Sequence, residues 1–379
     1  MGFIHNASMG ALVTQNRLAA LRDLLADQGL EALLISSPDN RRYLSGFTAR
    51  DDVPNESCGS LLVTRNAALL FTDFRYLEWA RAEAKEFDIL VYQAGLGAVL
   101  AEQLGVNQVT RLGFETFSLT FGQYQRLTQA ASQADLSVEW VPTEGLVDSL
   151  REVKTAEEVA AVRLALAATE RVLTEVADLL IPGLSERQVA WEIERRLREE
   201  GAEGLAFSPI VAAGANSARP HHTPGDYLLQ EQEPIIIDMG ARIAGYCADL
   251  TRTVILGEPT ERFREIYSIV RRAQARAEAG LQAGMESLAG DALARDIIVQ
   301  AGFGEAFGHS LGHGVGLAVH EAPSLSPVKE RGTVLKAGSI VTVEPGIYLS
   351  GWGGVRLEDM ALIEAGRAEV LNGLSFYEF

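Results

Sequence analysis

Four carboxylates and a tight run of histidines are the side chains of this 379-residue chain best equipped to do chemistry. The segment IIIDMGARIAGYCADLTRT, Ile235 to Thr253, carries Asp238 and Asp249 on either side of a glycine-containing turn. An antiparallel hairpin centred between Ile243 and Ala244 would set the two acids opposite each other, with Cβ atoms about 4.5 to 5.5 Å apart. Carboxylates that close repel unless they share a proton or a cation. A solvated acidic pair is the competing reading. The apolar run Ile235, Ile236 and Ile237 argues against it, because such a strand is buried on both faces. GSIVTVEPGIY and RLEDMALI repeat the arrangement: Glu344 shares a strand face with Ile340 and Thr342, Glu358 shares one with Arg356 and Met360, and the turn SGWGG lies between. An edge strand with a polar face is the alternative there.

Five of the six histidines fall in two segments. GHSLGHGVGLAVHE holds His309, His313 and His320, and the proline-bracketed loop NSARPHHTP holds His221 and His222. Four carboxylates and one imidazole suit two divalent cations about 3.5 to 4 Å apart, an arrangement that activates water at neutral pH. Mostly oxygen ligands favour Mn or Co and leave Zn or Fe open. An ordinary zincin is excluded, since no HExxH occurs: His320 and Glu321 are followed by Ala322, Pro323 and Ser324. His309 and His313 have helical spacing, yet Gly308, Gly312, Gly314 and Gly316 surround them, and each glycine costs a helix interior ~1 kcal/mol. The expected form is a loop entering a strand at Val315 to His320, with glycines permitting close backbone approach.

These residues need a scaffold. Apolar Leu18, Leu21, Leu24 and Leu25 predict a helix from Arg17 to Gly29, and Ala32 to Ile35 reads as a buried strand. Strands follow at Ser60 to Thr64, Ala68 to Thr72 and Asp88 to Tyr92, with a helix from Phe74 to Glu86, which together predict a compact α/β domain. Thr155 with Glu158, and Ser185 with Gln188, are capping boxes that start helices over Glu157 to Leu180 and up to Gly201; Thr260 caps a third from Glu261 to about Gly280. Period-two strands then appear at Pro234 to Asp238, Ala248 to Leu256, Ser339 to Glu344 and Arg356 to Ile363, so the second segment reads as α+β. No internal repeat is strong enough to assert.

Composition narrows the partners. With 33 basic and 51 acidic residues the formal charge is -18, which disfavours nucleic-acid binding. No apolar run approaches the roughly 18 to 20 residues of a membrane span, and the opening MGFIHNASMG lacks the flank and apolar stretch of a secretory signal. Cys58 and Cys247 alone, far apart in sequence, fit a reducing compartment, so a cytoplasmic location is expected.

Asp238 and Asp249 in DMGARIAGYCAD, the string HSLGHGVGLAVHE, the EPGIY around Glu344 and the VRLED around Glu358 resemble the ligand set of the pita-bread metallopeptidases of family M24. These are the Xaa-Pro aminopeptidases, prolidases and methionine aminopeptidases. YLSGF (Tyr43 to Phe47) and LFTDFRY (Leu70 to Tyr76) resemble the creatinase-like domain that precedes the catalytic domain in Xaa-Pro peptidases; methionine aminopeptidase normally lacks it. The resemblance implies an α/β creatinase-like N-terminal domain over residues 1–150 and an α+β pita-bread catalytic domain over residues 151–379. It implies Asp238, Asp249, His313, Glu344 and Glu358 as ligands of two divalent ions (Mn, Co or Zn), with Asp249 and Glu358 bridging. His221 and His320 match substrate-binding histidines, and Arg356 matches a residue that buttresses the metals or contacts substrate; His309 has no such match and is expected at the cleft rim. Creatinase shares the architecture without the ligands.

The activity so implied is hydrolysis of the Xaa-Pro bond at the N-terminus of short proline-containing peptides by a homodimeric enzyme. Glu344 would shuttle a proton to the prolyl nitrogen and His320 would stabilise the oxyanion. Arg50, in the loop TARDDVPNESC (residues 48–58), is a candidate clamp for a prolyl carboxylate, which inclines the reading to a dipeptidase (prolidase). A salt bridge to Asp51 or Asp52 is its plainer role. An aminopeptidase acting on longer peptides is the alternative. A non-catalytic peptide-binding module is a further one, against which the full ligand set argues.

Overall fold

In the computed structural model, residues 2–51, 56–329, 332–374 and 377 are described. Two compact units result, Met1–Arg151 and Glu152–Phe379. In the first, α1 (Gly2–Asp27) leads to β1 (Ala32–Ile35), α2 (Pro38–Ser45), β2 (Ser60–Thr64), β3 (Ala68–Thr72), α3 (Leu77–Glu83) and β4 (Asp88–Val91). α4 (Leu96–Val106), β5 (Arg111–Glu115), α5 (Phe121–Gln133), β6 (Glu139–Thr143) and α6 (Leu146–Arg151) follow. The strands make one sheet in the order β4-β3-β2-β1-β5-β6, parallel through β1, β5 and β6 and antiparallel through the β2 and β3 hairpin. All four residues of β1 are buried, as a central strand requires.

Two predicted boundaries move in this unit. α1 begins well before Arg17. The segment from Phe74 opens as a 3-10 turn capped by Asp73, and α3 stops at Glu83 instead of Glu86 because the chain turns to bury Phe87 ahead of β4.

The second unit starts from helices that begin where the capping boxes predict. Thr155 with Glu158, and Ser185 with Gln188, make both reciprocal bonds at the starts of α7 (Ala156–Leu179) and α8 (Glu186–Glu199). Such a cap stabilises by ~1 kcal/mol. Next come β7 (Gly204–Leu205), β8 (Ile210–Ala213), β9 (Pro234–Met239), β10 (Ala241–Ile243), β11 (Tyr246–Cys247) and β12 (Leu250–Ile255). α9 (Glu261–Gly280), capped by Thr260, and α10 (Ser287–Gln300) precede β13 (Gly312–Gly314), β14 (Glu321–Leu325), β15 (Ile340–Val343), β16 (Gly346–Leu349), β17 (Gly353–Arg356), β18 (Asp359–Ile363) and β19 (Ala368–Val370). Two helices followed by antiparallel strands thus occur twice, an order the sequence did not disclose. Each pair of helices has its own apolar cluster, one around Val172, Ile193 and Ile235, the other around Phe263, Val270 and Val341.

Three strand expectations are corrected. Asp238 pairs with Thr251 and Arg242 with Cys247, so the aspartate hairpin turns between Ala244 and Gly245, one residue later than expected. Both turn residues take positive φ, 50° and 82°, the left-handed pair that a tight hairpin turn uses. Asp249 therefore stands diagonal to Asp238 and not opposite it, on the same face of the ladder. Second, no strand forms at Val315 to His320. The strand is Gly312–Gly314, where a Cβ would overlap the carbonyls of Thr342 and Ala322, so only glycine permits that pairing. The following loop is held from outside, by Cys247 N–H donating to Gly316 O at 2.8 Å and Arg242 Nη1 donating to Leu317 O at 2.7 Å. Third, Arg356 to Ile363 is interrupted: β17 ends at Arg356 and β18 begins at Asp359. Leu357 and Glu358 lie in the gap.

Candidate metal centre and active cleft

Buried β-strands bring all four acids to one place. β9 is the middle strand of the sheet β12-β9-β8 and presents Asp238. Asp249 immediately precedes β12. The pairings Val343 with Asp359 and Gly346 with Arg356 share one register, which sets Glu344 and Glu358 opposite each other at the break between two sheets. Strand ends free a side chain to project. Glu358 N–H donates to Thr251 O at 3.1 Å and Glu344 N–H to Leu311 O at 2.9 Å, so the breaks are themselves hydrogen-bonded.

Hydroxyls and a guanidinium orient these carboxylates. Thr251 Oγ1 donates to Glu358 Oε2 at 2.7 Å, and Thr342 Oγ1 donates to Glu344 Oε1 at 3.3 Å while accepting from His313 N–H at 3.0 Å. Arg356, only 3% exposed, places Nη2 2.6 Å from Asp238 Oδ2, Nη1 2.9 Å from the Tyr348 hydroxyl and 3.3 Å from Pro220 O, and Nε 3.2 Å from Thr251 Oγ1. Asp238 Oδ1 is buried without a hydrogen-bond partner among the described residues. Tyr348 extends the chain, its hydroxyl 2.9 Å from His309 Nε2.

Electrostatics follow from this crowding. Burial, then the charges of Glu358, Asp238 and Glu344, holds the Asp249 carboxyl well above the usual carboxylate range. Burial and the charges of Glu344 and Asp238 do the same to Glu358. Glu344 is pushed up to about 8, by burial first and then by Asp238, against the pull of Arg356. Burial alone would lower the Arg356 pKa, but Tyr348, Asp238 and Glu344 outweigh it and hold it well above its ordinary value. Burial and the neighbouring His320 lower the His313 imidazole to about 3, and burial lowers His320 as well.

His313 Nδ1 lies 3.1 Å from Gly314 O and must donate to it, which leaves Nε2 as a bare lone pair. That lone pair faces Asp249 Oδ2 at 3.6 Å and Glu344 Oε1 at 3.4 Å. With His313 neutral these approaches are not ion pairs; they are donor atoms facing a common point. Asp249, His313 and Glu358 offer ligand atoms that all lie within 4.8 Å of one another. Together with the orphaned Asp238 Oδ1, the set fits divalent cations, which would neutralise it with hard oxygen and imidazole ligands.

The cleft over these residues has a volume of about 570 Å3, and its walls include Phe207, Pro209, His221, His309 and His320. The paired histidines separate here. His221 is exposed to the cleft, whereas His222 turns its Nε2 to the buried Glu186 at 2.8 Å. His309 lines the cleft half-buried, with both ring nitrogens engaged, Nδ1 with Ser310 O at 2.8 Å and Nε2 with Tyr348. His313 and His320 stack edge to face at 4.2 Å. Arg50 pairs with Asp39 at 3.3 Å within the N-terminal unit; residues 52–55 of its loop, Asp52 among them, lie outside the described residues.

Sequence reasoning missed Thr251, Tyr348, Glu186 and Lys154, and gave Thr342 no role. Period-two spacing could have found the threonines, since Thr251 is two residues from Asp249 and Thr342 two from Glu344. Lys154, whose ammonium lies 2.9 Å from Glu321 Oε1 with both side chains largely out of solvent, carries no local signal.

Residues 160–365 match the model of metallopeptidase family M24, and residues 17–153 match that of the creatinase/prolidase N-terminal domain. A protein named Xaa-Pro dipeptidase from Pyrococcus furiosus is 32% identical over 94% of this chain and 98% of its own length. Among solved structures, an Xaa-Pro dipeptidase from Bacillus anthracis is 38% identical with a TM-score of 0.87, covering 94% of this chain and 97% of the other. An X-Pro aminopeptidase from Thermotoga maritima is 34% identical with a TM-score of 0.81, covering 92% and 96%. The chain belongs to metallopeptidase family M24, with a creatinase/prolidase N-terminal domain ahead of its pita-bread catalytic domain.

Proposed function

We propose that this chain hydrolyses the Xaa-Pro bond at the N-terminus of short peptides and prefers dipeptides. The observation that carries the proposal is the convergence of Asp238, Asp249, His313, Glu344 and Glu358 on one cleft that His221 and His320 also line. Those five would hold two divalent ions of the Mn, Co or Zn type, which when bound supply Lewis acidity and activation of water at neutral pH.

The chain's own groups do the rest. Arg356 fixes Asp238 and so the base of the cleft. His320, neutral because its pKa is lowered, donates an N–H to the developing oxyanion. Glu344 carries the proton from the attacking water to the prolyl nitrogen, the leaving group. His221 binds the peptide from the exposed side. The bond before proline has no N–H, so the site needs no acceptor at that point and selects by shape.

The relatives named Xaa-Pro dipeptidase support the dipeptide preference. The X-Pro aminopeptidase of similar fold and identity supports the second reading, action on longer peptides. Rates on an Xaa-Pro dipeptide and an Xaa-Pro-Yaa tripeptide decide between them; a strong tripeptide preference overturns the first. The protein further reads as a cytoplasmic homodimer with no nucleic-acid partner, consistent with its charge of -18. Among the described residues no helix is long and apolar enough to cross a membrane.

A further inference from the structure

One buried carboxylate outside the metal cluster organises a wall of the cleft. Glu186 is the first residue of α8 and is fully buried. It accepts four hydrogen bonds: from Ala213 N–H at 2.9 Å, Asn216 Nδ2 at 3.0 Å, His222 Nε2 at 2.8 Å and Gly225 N–H at 2.9 Å. An ionised carboxylate only accepts, so the His222 imidazole donates. These bonds reach the end of β8, the turn after it and the far end of the histidine loop, so a single side chain closes the segment from Ala213 to Gly225. The helix start answers in kind, with Arg187 N–H donating to Gly225 O at 3.0 Å and Glu186 N–H to Tyr227 O at 3.1 Å.

The two neighbours of His221 are therefore both pinned. Pro220 O accepts from Arg356, which also grips Asp238, and His222 is tied to Glu186. Among the described residues His221 itself has no such tether, and it is exposed to the cleft. We propose that Glu186 and His222 are positioning residues for substrate binding: their bond holds the 213–225 segment so that His221 projects into the cleft at a fixed place relative to Asp238. Loss of the bond frees His221 and weakens peptide binding while the five candidate ligands, on or beside β9, β12, β13, β15 and β18, are untouched. The inference rests on the proposed Xaa-Pro hydrolysis.

The test compares His222→Ala, His222→Gln, His221→Ala and the double variant, each loaded with Mn. His222→Ala should raise KM for an Xaa-Pro dipeptide about tenfold, the scale of a lost hydrogen bond to a charged group, with kcat within about twofold and metal content unchanged. His222→Gln, whose amide can still donate to Glu186, should recover most of the loss. In the His221→Ala background, removing His222 should cost almost nothing more, because the two act as a unit. A merely structural His222 would instead add its full effect to that background, and an unchanged KM in His222→Ala would also overturn the proposal. Hydrogen exchange supplies a readout independent of turnover: His222→Ala should speed exchange at 216–225 and leave 235–239 as in the wild type. Unchanged exchange at 216–225 sinks the proposal even if no substrate is found. A wild type that exchanges as expected but cleaves no Xaa-Pro peptide sinks the functional reading alone.

Discussion

Chelating divalent ions should lower the melting temperature of this chain by an amount that grows as pH rises from 5 to 8. In the ion-free protein burial and Asp238 raise the Glu344 carboxyl from an ordinary 4.5 to about 8. The unfolded chain gives up that proton near 4.5 and the folded one keeps it to about 8. Between those values the folded state binds more protons, so ion-free stability falls as pH rises. At ~1.36 kcal/mol per pH unit the loss across the window is on the order of 5 kcal/mol from this one group. Asp249 and Glu358 are shifted in the same direction and add to it.

Ligands must be ionised to hold a cation, so bound ions abolish this slope. At ~2–4 °C per kcal/mol for a unit of this size, the gap between loaded and chelated protein should widen by on the order of 10 °C. Thermal melts with Mn or with EDTA at pH 5, 6, 7 and 8 measure it. Calorimetric titration of Mn in two buffers of different ionisation enthalpy should count at least about one proton released. A gap that stays constant, or narrows as pH rises, refutes the reading of the four carboxylates as ligands of divalent ions.

Three further outcomes follow from the same geometry. Tyr348→Phe removes the hydroxyl shared by Arg356 and His309, and should lower kcat/KM about tenfold with metal content intact, as kinetics and elemental analysis will report. Among the clustered histidines, His313→Ala should lose metal, and His320→Ala should keep it and lose about a hundredfold in kcat. His309→Ala should resemble Tyr348→Phe; equal metal loss in all three would contradict this division. Glu278 is raised to about 8 by burial and by its bond to Asp359, so its stabilising contribution is present below pH 4.5 and lost as pH approaches 8. Glu278→Gln should therefore melt higher than the wild type at pH 8.5 and equally at pH 5, in paired melts.

What the sequence disclosed and what it withheld divide along one physical line. Thr155, Ser185 and Thr260 were readable as helix starts because each hydroxyl accepts from a backbone N–H three residues on, and at Thr155 and Ser185 the third residue's side chain answers in kind. Glu344 and Glu358 were readable as a facing pair because one continuous register runs through both strand pairs around SGWGG. The aspartate hairpin slipped by one residue because DMGARIAGYCAD offers two glycines, and only the left-handed backbone at Ala244 and Gly245 decides which one turns. GHGVGLAVHE misled for a related reason. Its glycines signal close packing, but the backbones they admit, at Thr342 and Ala322, are chosen by tertiary pairing, and the strand falls before Val315 and not after it. Furthest from view were the bonds from Glu186 to His222 and from Lys154 to Glu321: each joins residues whose separation follows no period of helix or strand. Yet these long-range contacts tie His222 away from the cleft that His221 lines and brace the residue next to His320. A ligand set can be read from strand spacing, whereas the positioning of groups around a substrate is written in the packing that spacing leaves open.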